Sequence, residues 1–145
     1  MEGERRLTEE DAREALRGHV SMKAHAAREL YGTIDRPTLE LILNDPEVTR
    51  WPTSIVFDSE SLRAGEFGFA TPVPGSPVGA WQITLHPRYS GDDSAVVMLA
   101  VYHMVSINYG EIATHEEAEE FGATLLGLSE EDYYTEVCAL ADRES

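Results

Sequence analysis

Between Asp92 and Tyr109 the chain reads DDSAVVMLAVYHMVSINY, and this run limits the possible folds more than any other. From Ala95 onward its polar residues are His103, Ser106 and Asn108, so a 3.6-residue repeat puts apolar side chains on every face. A helix of that kind must be covered on most sides. Asp92, Asp93 and Ser94 are N-cap candidates with negative charge at the positive end of the helix dipole, and Gly110 is the expected stop. Such a helix is about 27 Å long. A membrane span needs roughly 18 uninterrupted apolar residues, and the central histidine breaks the run, so a buried core helix is expected and no membrane association.

A chain of 145 residues is expected to be one domain, long enough to bury a core without a metal or disulfide staple. Its N-terminus, MEGERRLTEE, is charged throughout and has no apolar core, which argues against a secretory signal; residues 1–6 are expected to fray. The single cysteine, Cys138, has no internal partner and points to a reducing, cytoplasmic setting. The formal charge of −16 is unevenly spread. Residues 1–63 carry 9 basic against 13 acidic side chains, whereas residues 64–145 carry 2 against 14. The second half repels nucleic-acid phosphates, so direct DNA or RNA binding is not expected. Plain solubility, a partner with a basic surface, and an acidic mimic of DNA are the three readings of that charge.

In chain order, Thr8 caps a first helix with Glu9, Glu10 and Asp11 in its first turn. Gly18 is a candidate break before an alanine-rich helix from His19 to Tyr31, which Gly32 ends. Pro37 sits at the first position of a short helix over Thr38–Asn44, stopped by Asp45-Pro46. Short extended runs follow: Ser54–Phe57, Glu66–Val73 and Trp81–His86, the last two predicted to form an antiparallel hairpin around the PGSPVG loop. Beyond the central helix, Thr114 and Glu117 form a T-x-x-E capping box for a helix to Leu126 or Leu128. Its Ala118, Phe121, Leu125 and Leu128 should face inward, with Glu116, Glu119 and Glu120 outward. Ser129 caps a final helix with apolar Tyr133, Val137, Cys138 and Leu140.

Two segments carry a family pattern. WQITLHPRY, residues 81–89, has the form I-x-L-x-P just before the central helix, and EEAEEFGATLL, residues 116–126, follows it. Together with the element order over residues 54–128, these resemble the minimal zincin-like metallopeptidases of the gluzincin type. In that family the strand precedes an active-site helix ending in H-E-x-x-H-I-x-x-G, and the next helix supplies a metal-binding glutamate. The resemblance implies a zincin-like α+β fold: N-terminal helices, a small three-stranded, mainly antiparallel sheet finishing in an edge-type strand, a buried central helix and two C-terminal helices. Glu117 takes the metal-ligand position. With Ile107–Gly110 aligned to the end of the family helix, the two zinc histidines fall on Tyr102 and Ser106, and the general base falls on His103.

A zinc site on one helix needs imidazoles at i and i+4, both about 2.0 Å from the ion, and Tyr102 and Ser106 do not supply them. His103 has Leu99 and Ile107 four residues to either side, so no register shift restores the pair. The resemblance therefore implies a scaffold without catalytic metal or base, working through protein contacts on its acidic C-terminal surface. A rival reading keeps a metal-dependent hydrolase with a remodelled zinc site drawn from His103, His115, Glu117 and His86. Structural roles account for the same residues: Glu117 as the third residue of a capping box, Tyr102 and Ser106 as hydrogen-bonding groups of a core helix, His103 as a core histidine, His86 as an exposed strand end. Oligomeric state is left open by these residues.

Overall fold

The computed structural model describes residues 8–63 and 66–142; the expected fraying of residues 1–6 lies outside them. The described chain is an α+β fold of five α-helices and a three-stranded mixed sheet. The elements are α1 (Glu9–Tyr31), α2 (Arg36–Leu43), β1 (Thr53–Phe57), β2 (Gly68–Pro72), β3 (Trp81–Leu85), α3 (Asp93–Tyr109), α4 (His115–Leu126) and α5 (Glu130–Ala141).

α3 is the centre. Ten of its 17 residues are buried, and they lie all round the cylinder from Ala95 and Val96 to Ile107 and Asn108. Asp92 caps it, its Oδ1 accepting from the Ala95 amide at 3.0 Å, and Gly110 at φ 70° ends it. β2 and β3 lie against this helix, as do α2, α4 and α5. Burying each Val or Leu side chain in such a core contributes about 1.5–3 kcal/mol. By length and hydropathy the stretch Asp93–Ile112 would suffice to cross a membrane, but 56% of that window is packed inside the fold.

The sheet order is β1-β3-β2. β2 and β3 form the expected antiparallel pair, with Ala70 opposite Ile83. β1, however, pairs with β3 in parallel, Ile55 beside Ile83, so the sheet is mixed and β3 is its middle strand instead of an edge. The chain runs from β1 to the far edge as β2 and returns to fill the gap. Gly68 is required where β2 meets β3: a Cβ there would sit 2.6 Å from the Thr84 carbonyl oxygen.

Local signals hold at most helix ends. Thr8, Thr114 and Ser129 cap α1, α4 and α5, and both threonines form capping boxes. α1 runs unbroken through Gly18, because its inner face is held to α4 by packing and by two arginines, which outweighs the roughly 1 kcal/mol cost of a mid-helix glycine. α2 starts earlier than Pro37 suggests, since the Asp35 carboxylate accepts from the Thr38 amide at 2.9 Å and becomes the cap. Leu128, expected inside, is 37% exposed, because Gly127 turns left-handed (φ 75°) and ends α4 at Leu126.

Candidate functional site

The second half of α3 faces the start of α4 across a shallow recess of about 150 Å³. Tyr102, His103, Ser106, Thr114 and His115 line it, so four of the six residues picked from the family pattern and its rival stand around one small space. Glu117 and His86 do not line it.

Glu117 explains most of the arrangement. It lies one turn into α4 and is fully buried, yet its carboxylate is directed at α1. Oε1 accepts from the Thr114 amide at 2.7 Å, from the Thr114 hydroxyl at 2.8 Å and from Arg13 Nη1 at 2.6 Å. Arg13 also donates to the Ile112 carbonyl at 3.2 Å, which fixes the guanidinium over the turn before α4. Burial pushes the Glu117 carboxyl upward, but the Thr114 amide and hydroxyl and the Arg13 charge together hold it below the usual carboxylate range. Its Oε2 is buried with no hydrogen-bond partner. A carboxylate with three donors on one oxygen is a fastening, and it joins the first helix to the fourth.

His103 is held differently. Its ring centroid lies 5.3 Å from that of Phe67 and 5.6 Å from that of Tyr102, and Nε2 is shut off from solvent without a partner. A Cβ on Gly68 would sit 3.3 Å from that nitrogen, so His103 reaches the underside of β2. Burial lowers its pKa from 6.5 to about 4, leaving the imidazole neutral. Tyr102 makes an edge-on contact with Phe67, and burial, followed by the Glu119 charge, raises its phenol.

The remaining residues are apart from one another in role. His115 is exposed at the first position of α4. His86 caps the 3-10 turn at Pro87–Tyr89, its Nδ1 accepting from the Arg88 amide at 3.1 Å. Among the described residues no three His, Cys, Asp or Glu side chains converge as a metal site would require. The rival ligand set of His103, His115, Glu117 and His86 is therefore not assembled: Glu117 turns to Arg13, and His86 serves its own turn. The residues present do not fit a zinc ion at the family position either, since Tyr102 and Ser106 replace both imidazoles.

The outer glutamates also need correction. Glu120 is half-buried and pairs with Arg17 at 3.0 Å, and Arg17 Nη2 reaches Glu130 at 3.9 Å. Glu119 is half-buried, and burial is the main cause that raises its carboxyl, with Glu130 and Glu116 adding to it against His115. Arg13 and Arg17 were missed by sequence reasoning. Their i, i+4 spacing on α1, matching Glu117 and Glu120 three apart on α4, is the signal that could have found them. Compared with known proteins, the chain matches no family model, no curated protein and no solved structure.

Proposed function

We propose that this chain is a non-catalytic protein of zincin-like arrangement that acts by binding another protein through its acidic C-terminal surface. The observation that carries the reading is the Glu117 carboxylate: at the position where the family resemblance puts a metal ligand, it is engaged by Thr114 and Arg13. The surface itself is exposed at Glu116, Glu130, Glu131, Asp132 and Glu136. These carboxylates lie in the half of the chain that has 2 basic side chains against 14 acidic ones. Such a field steers a basic partner inward and repels nucleic acid and anionic lipid. The lone Cys138 supports a reducing compartment, and we place the protein in the cytoplasm.

Metal content of protein purified without a histidine tag tests the first part. The expected result is no stoichiometric zinc and no zinc-dependent hydrolysis of peptides. One zinc per chain, lost when Glu117 is replaced by Gln, would restore the hydrolase reading.

A further inference from the structure

A larger recess opens at the other end of α3. It encloses about 380 Å³ between the α1–α2 link, the first turns of α3 and the end of α4. Ile34, Val97, Met98 and Leu126 form its apolar walls, and Leu128 is an exposed apolar side chain at its lip. That size and lining suit the anchoring of bulky apolar side chains.

The carboxylates around it, Asp35, Glu40, Asp92 and Asp93, outnumber the cations Arg36 and Arg28, the latter lying against Gly127 with Nη1 donating to the Leu125 carbonyl at 3.1 Å. Arg36, the cation among the lining residues, already faces Glu40 at 3.2 Å and Asp93 at 3.9 Å. The positive end of the α3 dipole is met by Asp92, which caps the Ala95 amide, and by Asp93 in the first turn. Asp35 stands on the same rim. Glu130, Glu131 and Asp132 begin two residues past Leu128, so about 7 Å of chain separates the lip from the first of them.

We infer that this recess is the docking site for a basic amphipathic helix of a partner protein, whose apolar side chains enter between Val97, Met98 and Leu126 while its Lys or Arg side chains meet the acidic rim. This deepens the proposed protein-binding role and rests on it. Charge selects the occupant. A second copy would bring its own −16, and an anionic membrane or a nucleic acid would bring phosphates against the same rim. A helix carrying lysines beside leucines satisfies both the walls and the rim.

The test uses the full chain and a labelled leucine–lysine peptide of about 15 residues, long enough to fold as a helix on a surface. Fluorescence anisotropy should show binding that weakens as salt rises. A control peptide with every leucine changed to serine, and the Leu128→Arg chain with the normal peptide, should each bind at least about tenfold more weakly, the first by losing its anchors and the second by setting a like charge at the lip against the peptide's lysines. Leu128 is exposed, so its variant should melt as the wild type does; Asp93→Lys is the second variant and should weaken binding in the same direction. Salt-sensitive binding that ignores the serine control and both variants would overturn the recess while leaving the acidic surface standing. No binding at low salt would overturn both readings. Self-association of the wild type that Leu128→Arg abolishes would give the recess to a second copy and overturn the inference.

Discussion

Two ionisable side chains 14 positions apart in sequence, one fully buried and one half-buried, show how neighbours decide what a residue can do. Glu117 stays charged because three donors converge on one oxygen, whereas His103 stays neutral because burial takes it out of water and no acceptor reaches its Nε2 to hold a proton there. The consequence for stability is specific to His103. Its folded pKa of about 4 lies below the ordinary 6.5, so between those values the unfolded chain binds a proton that the folded chain refuses. His103 stability is therefore whole above pH 6.5 and is lost as pH falls toward about 4, at a limiting rate of about 1.4 kcal/mol per pH unit. Urea unfolding of wild type and His103→Leu across that window should show the wild type losing stability faster, and parallel curves would refute it. The sequence identified Glu117 as a capping glutamate without help. Its tie to Arg13 could not be seen, since a side chain 104 positions away has no local signature.

The packing of α4 on α5 turns on a close approach at Gly122. A methyl group there would overlap the Tyr133 ring, which is fully buried and pinned by its hydroxyl donating to the Met98 carbonyl at 2.8 Å. Gly122→Ala gains about 1 kcal/mol of helix propensity, but overpacking against a ring that cannot retreat costs about 1–3 kcal/mol. Thermal unfolding should therefore show a lower melting temperature for Gly122→Ala; a rise would mean that α5 can shift. Elements were legible wherever their cause is local: Thr8, Thr114 and Ser129 at helix starts, Gly32 and Gly110 at helix ends, the β2–β3 hairpin. They were illegible where the cause is distant. The parallel β1–β3 pair joins strands separated by the whole of β2, and α1 survives Gly18 through contacts with α4. Tyr102, His103 and Ser106 were grouped by the family alignment, and His115 was joined to His103 in the rival ligand set, so part of the small recess was named in the sequence, as a metal position and not as a recess. The larger one, built from three segments far apart in the chain, was not.

As a whole the molecule carries a net −16, most of it in the half that forms β2, β3 and the last three helices. Like charges crowded on one compact body repel, and monovalent salt screens them. Added sodium chloride should raise the melting temperature, by roughly 2–4 °C for each kcal/mol of repulsion relieved. A melting temperature that falls with salt would mean that the Arg13 and Arg17 pairs outweigh the repulsion. Those pairs have a further consequence, because they fasten α1 to a helix that is made much later. A ribosome adds roughly 5 to 20 residues per second, so the interval between synthesis of Arg13 and of Glu117 is on the order of 5 to 20 seconds. Throughout it the newborn chain carries Val20, Ala24 and Ala27 on a helix that still lacks α4, the element it packs against most closely.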